Sequence, residues 1–135
     1  MSDADVVLER LRLQQSKYRE MIEIVSAQRS VFAALEVDAI LGMIEQKRRL
    51  LTEIDGIEAE LAPLKGDWAR VRAGFSAEEA LALEATLDGT KRVLEELVRL
   101  EDEGRALLDK RRAEKSEALE GLLNKTRARG AYGTL

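Results

Sequence analysis

Carboxylates are the most abundant reactive groups in this chain, and the densest sets are Glu95 with Glu96 and the run Glu101, Asp102, Glu103. Paired carboxylates can divide acid and base roles or hold a cation. These do not suit either task. Neighbouring residues on a helix point in different directions, no Glu-x-x-His element of a di-iron bundle is present, and the spacing lacks the alternation of ligand and turn residues of a calcium loop. They read instead as solvated helix surface, with Glu45 and Arg49, and Glu95 and Arg99, spaced for i,i+4 ion pairs. Ser26, Ser30, Ser76 and Ser116 have no base to activate them, because the chain contains no histidine. It also contains no cysteine, which excludes a thiol nucleophile, a disulfide framework and a Cys/His zinc site within the chain. Gly130-Ala131-Tyr132-Gly133 lacks the Lys-Ser/Thr pair and the preceding strand of a phosphate-binding loop. The expectation is a protein that is not an enzyme and uses no cofactor and no metal.

What remains is surface, and composition says of what kind. The 135 residues suffice for one domain. Charged residues make up 36% and aromatics 4%, the latter being Tyr18, Phe32, Trp68, Phe75 and Tyr132, so burial must come from Leu, Ile, Val and Ala. That is helix-bundle material. The net charge is −4, with 9 basic and 12 acidic residues in the first 66 and 13 and 14 in the rest. Neither half is a basic footprint, which argues against nucleic acid as a partner. Lys47-Arg48-Arg49 and Lys110-Arg111-Arg112 read as basic flanks of an apolar seam. The first five residues carry acids where a secretory signal has bases, and no apolar run approaches the roughly 20 residues that span a bilayer, so a cytoplasmic location without stable membrane insertion is expected.

The elements follow from periodicity. Asp3 or Asp5 can cap a first helix, after which Leu8, Leu11, Tyr18, Ile22, Val25 and Phe32 form one stripe. A second stripe runs Ile40, Met43, Leu50, Ile54, Ile57, Leu61, Leu64 and Trp68, with Lys47 as its polar interruption. The two are out of phase by one residue near 35–39, which marks a stutter, a bend or a short break. Pro63 should end or kink this region, and Gly66 and Gly74 bracket a turn. Ser76 and Glu79 then have the spacing of a capping box, with Phe75 as a hydrophobic staple. From that cap a broader, ragged stripe runs through Leu83, Leu87, Leu94, Leu97, Gly104, Leu108 and Leu122. Gly104 lies on it, where a missing side chain permits close approach or is merely tolerated.

The fold expected is therefore all-α, a long antiparallel helical hairpin or small helical bundle with coiled-coil-like packing. One domain spans 1–129, with helix over about 5–62, a turn region over 63–75 and helix over about 76–127. Residues 130–135 are expected to be a flexible tail. A hairpin would leave leucines beside its seam uncovered, which predicts a folded-back third helix, a bend near 35–39 that allows a short bundle, or a partner, with client binding or a homodimer covering the surface. Leu108, Leu119, Leu122 and Leu123 are the candidate client-binding surface, framed by Arg111 and Lys115. Tyr132, flanked by Gly130 and Gly133, is a candidate docking residue in the tail. Trp68 and Phe75 suit the end of a core or an aromatic partner contact.

The stretch from Gln28 to Leu51 resembles the core of the FlgN-like flagellar export chaperones. A glutamine before a small apolar run, then an aspartate, then a lysine nine residues later followed by paired leucines are matched here by Gln28, Asp38, Lys47, Leu50 and Leu51. The similarity covers about residues 8–64, and Glu36 departs from it. It implies a small cytoplasmic helical chaperone of type III export that holds the C-terminal helices of hook-associated (hook-filament junction) proteins. Such a protein prevents their premature assembly and delivers them to the cytoplasmic domain of the export gate, where a tyrosine like Tyr132 would engage. The alternative reading is a structural coiled-coil adaptor of a flagellar or secretion assembly; the related FliT-like chaperones share the same class.

Overall fold

The computed structural model describes the backbone of residues 2–132 and the side chains of residues 2–127. It is all-α: α1 (Asp3–Ser26), α2 (Gln28–Ala34), α3 (Val37–Gly66), α4 (Trp68–Ala73) and α5 (Ala77–Tyr132). Helices α1 and α2, divided only at Ala27, run out together; α3 returns alongside them; α4 closes the near end; and α5 runs out again, parallel to α1. The principal packing is α1 against α5 and α1 against α3, with no comparable packing between α3 and α5. Helix α1 is thus the close neighbour of both α3 and α5, which meet each other only through side chains.

Two clusters hold this arrangement. The near one joins Val7, Leu8 and Leu11 of α1 to Ile57 and Leu61 of α3, Val71 of α4 and Leu83 of α5. The far one joins Met21 and Val25 to Leu50, Ile54 and Leu97. On α3 the buried positions recur at spacings of seven, four, three and four from Met43 to Leu61, as one core-facing stripe requires. Three buried glutamine and threonine side chains, Gln14, Gln28 and Thr86, lie among these apolar groups, and each has a hydrogen-bond partner. Burial without one would be costly.

Several boundaries differ from those expected. The interruption expected near 35–39 is a short break at which the chain reverses, so that of the two architectures expected the small bundle is the one formed, with three long helical arms. Leu35 takes a left-handed conformation (φ 50, ψ 42) and closes α2 with bonds from its own amide to Phe32 O and from the Glu36 amide to Val31 O. This is the double bond pattern that usually employs glycine. Pro63 does not end the helix: α3 continues through it to Gly66. Pro63 and Ala59, whose carbonyl loses its partner there, are both exposed, so water can satisfy that oxygen. The turn expected over 63–75 is mostly helical, the end of α3 followed by α4, which is anchored by the buried Val71 and by an Arg70–Asp3 ion pair at 3.4 Å. The cap of α1 is Ser2, not Asp3 or Asp5; Asp5 serves instead as its partner in a capping box.

The second capping box lies where the spacing placed it. The Glu79 amide donates to Ser76 Oγ at 3.1 Å and the Ser76 amide to Glu79 Oε1 at 2.9 Å. Phe75 packs on the near cluster and meets Trp68 edge-on, the ring centroids 6.3 Å apart. Ser76→Ala should lower stability by about 0.5–2 kcal/mol through loss of the cap, read as a lower urea midpoint at unchanged slope. An unchanged midpoint would mean that the start of α5 is held by packing alone.

Helix α5 spans 56 residues, about 84 Å at 1.5 Å per residue. Among the described residues, its last hydrogen bond to the rest of the bundle runs from Arg111 Nε to Ala33 O at 3.0 Å. From Asp109 to Arg127 every residue is exposed. Helix persists through Gly130 to Tyr132, so the segment expected as a non-helical tail from 130 begins as helix. The glycine merely lowers propensity there. The side chain of Tyr132 and residues 133–135 lie outside the described residues.

Candidate functional site

Because α3 and α5 each pack more closely on α1 than on each other, a trough opens between them with α1 at its base. At the near end it is a cleft of about 400 Å³. Val7, Leu11 and Gln14 of α1 form the base, Leu61 and Leu64 of α3 with Trp68 form one side, and Leu83 and Leu87 of α5 the other. The apolar wall continues along α5 from Leu87 through Leu94 to Val98. Leu87 and Val98 are 46% and 58% exposed, which is high for leucine and valine beside a core. At its far end the trough is crossed by the ion pair of Lys47 on α3 with Glu101 on α5. The wall from Leu83 to Glu101 is about 27 Å long, the length of a helix of some five turns.

Polar groups punctuate this apolar surface. Glu58 accepts hydrogen bonds from Lys65 Nζ at 2.8 Å and from the Gln14 amide. Lys65, and then Gln14, hold its carboxyl below the usual carboxylate range against the opposing effect of burial. Tyr18, half-buried beside the far cluster, has its phenol pushed up first by burial and then by the negative charges of Glu58 and Asp55. Its hydroxyl therefore stays protonated through the physiological range and remains a donor. Among the described residues no group of three or more acidic side chains is placed to hold a metal, and no helix is long and apolar enough to cross a membrane.

The residues that carry the family resemblance fall largely at the far end. Gln28 is 3% exposed, and its Nε2 donates to Leu100 O of α5 at 2.6 Å. Lys47 makes the ion pair across the trough, and Leu50 is buried between α1 and α5 in the far cluster. Three of the five thus join helices to one another. Asp38 is exposed in the first turn of α3, where a carboxylate favours the helix dipole, and Leu51 is 47% exposed.

The Gln28 contact explains Gly104. A Cβ built on Gly104 would meet Gln28 Nε2 at 1.9 Å and Cδ at 2.3 Å, so glycine is what admits the glutamine. The same device recurs one level up: Gln15 Nε2 donates to Thr86 O at 3.1 Å and to Thr90 Oγ1 at 3.2 Å, and a Cβ on Gly89 would meet Nε2 at 2.6 Å. Two glutamines of the outgoing helices therefore sit over two glycines of α5. Together they set its register. The close approach expected at Gly104 is made by a side chain, not by a second backbone.

Of the expected client-binding leucines, Leu108 is half-buried, while Leu119, Leu122 and Leu123 are 57%, 61% and 48% exposed on the part of α5 that extends beyond the bundle. Arg111, expected to frame them, instead holds Ala33 and pairs with Glu114 at 2.6 Å. They are not contiguous with the trough within one molecule. The trough itself escaped the sequence reading. Val37, Leu41, Ile44 and Leu51 of α3 are exposed as well, the first three beyond the Lys47–Glu101 pair that ends the trough. No protein family, curated protein or solved structure matches this chain.

Proposed function

We propose that this chain is a helix-holding export chaperone of the flagellar type, and that the trough between α3 and α5 receives an amphipathic helix of its client. The observation that carries the reading is the unfilled fourth position of the bundle. Helices α1, α3 and α5 supply three of the four walls of a four-helix core, and along the remaining side Leu87 and Val98 stand exposed with Leu94 half-buried between them. An amphipathic helix laid there would bury its apolar face as helix-in-groove partners do. The flagellar assignment, with C-terminal helices of hook-associated proteins as clients and the export gate as destination, rests on the resemblance over Gln28 to Leu51.

The trough suits the client better than the leucines of the projecting segment do. An incoming helix meets three helices in the trough and only one beyond residue 111. Titration of a client's C-terminal helical peptide, followed by calorimetry, tests this. Leu87→Asp with Val98→Asp should weaken binding at least about tenfold, since each places a charge in the contact, with far-UV circular dichroism unchanged. At protein concentrations too low for copies to associate, Leu119→Ala with Leu123→Ala should leave affinity for the peptide within about twofold. The reverse pattern would move the client site to the projecting segment, and no binding by the wild type would reject the chaperone reading.

A further inference from the structure

Helix α5 carries two unpartnered apolar surfaces: the trough wall of Leu87, Leu94 and Val98, and the projecting leucines Leu119, Leu122 and Leu123. Its charge divides between the same two regions. Residues 77–109 contain ten acidic and four basic side chains, a net charge of −6, whereas 110–127 contain six basic and three acidic, a net charge of +3. The acidic part is the part packed on the bundle; the basic part is the part that projects. Within one copy these regions lie end to end on a single helix and cannot meet.

We infer that the projecting segment of α5 docks in the trough of a second copy, giving a two-fold dimer in which two α5 helices run antiparallel. Antiparallel pairing sets the basic segment of each copy beside the acidic wall of the other, including Glu84, Asp88 and Glu95. Parallel pairing would oppose like charges along the whole helix. Lengths agree as well: residues 112–132 extend about 31 Å against a trough wall of about 27 Å. A single two-fold operation covers both apolar surfaces twice, as an isologous interface does. Charge complementarity sets orientation and partner choice, while the leucines supply the burial.

The dimer stands independently of the chaperone reading; only its regulatory meaning rests on that reading. If the trough also takes the client, the second copy guards it and the client must displace the docked segment. Dimerisation is therefore tested without client, and client binding can fail or succeed separately.

Sedimentation of the full chain over a range up to about 200 µM should show a monomer–dimer equilibrium that weakens several-fold as salt is raised from about 0.05 to 0.5 M. Leu119→Asp with Leu123→Asp, on fully projecting helix, and separately Leu87→Asp with Val98→Asp, should each weaken the dimer at least about tenfold while leaving the circular dichroism unchanged. Because the chain has no cysteine, single introduced thiols report contacts without background. Copies carrying Lys91→Cys mixed with copies carrying Glu120→Cys should cross-link to each other through a short bismaleimide. Within one copy these sites are about 43 Å apart along the helix. A monomer throughout the range, a dimer unchanged in either leucine variant, or cross-links confined to like-labelled copies would each overturn the proposal.

Discussion

Gly104→Leu is expected to destabilise the protein by about 3 kcal/mol, as overpacking and loss of a buried hydrogen bond act together. Helix propensity alone predicts the opposite sign, because glycine is about 1 kcal/mol worse than most residues in a helix interior. The competing effect is larger. Gly104 is buried under Gln28, and even a Cβ would fall 1.9 Å from Gln28 Nε2. The glutamine must leave, which breaks its 2.6 Å bond to Leu100 O and strands a polar amide beside Val25, Leu100 and Leu107. Gly121, where a Cβ would have no neighbouring atom within 4 Å, is the control: Gly121→Ala should gain up to about 1 kcal/mol. Urea unfolding of both variants, with the pair Gln28→Ala and Gly104→Leu to vacate the site, would check this. Equal midpoints for wild type and Gly104→Leu would show that Gln28 moves aside at no cost.

Leu61→Ala should cost about 2–5 kcal/mol, a large share of a typical domain stability of about 5–15 kcal/mol. Leu61 is 1% exposed and packs where α1, α3, α4 and α5 converge, against Val7, Leu11, Val71 and Leu83. It also lines the cleft at the near end of the trough, so truncation enlarges an existing opening in place of a closed void. Neighbouring side chains on three helices then lose contacts that no relaxation of one helix can restore. Leu122→Ala, by contrast, removes an exposed side chain and should change stability of the monomer by less than about 0.5 kcal/mol. The two urea midpoints, measured at low protein concentration, separate these outcomes. A small effect at Leu61 would mean that the near cluster is loosely packed.

What could be read from the sequence was whatever local chemistry controls. The Ser76–Glu79 box was legible because both its partners lie within four residues, and the all-α class because Leu, Ile and Val recur at helical spacing throughout. The reversal at Leu35 was not, since a leucine in a left-handed conformation leaves no glycine or proline as a mark. Only the one-residue phase slip between the stripes recorded it. Pro63 misled in the other direction: a solvent-facing proline costs a helix far less than a buried one. Lys47, read as a flaw in its stripe, proves to be half of the ion pair with Glu101. The trough could not be read at all, because it depends on which pairs of helices touch, and that is a property of topology.

The glutamine bonds to α5 join residues 71, 72 and 75 positions apart, and the Arg111–Ala33 bond spans 78. By contrast α1 and α3 meet across one short reversal, with Gln14 and Glu58 44 positions apart. Loop closure favours the nearer pairing, so α1 and α3 can associate while α5 is still being synthesised. Until α5 arrives, the face of α1 bearing Gln15 and the neighbouring Gln28 of α2 are bare. A ribosome-bound chain arrested before residue 104 would carry that face uncovered, and holding chaperones or premature self-association would compete for it. The order of emergence thus makes the last helix both the lid of the core and the bearer of its outward-reaching arm.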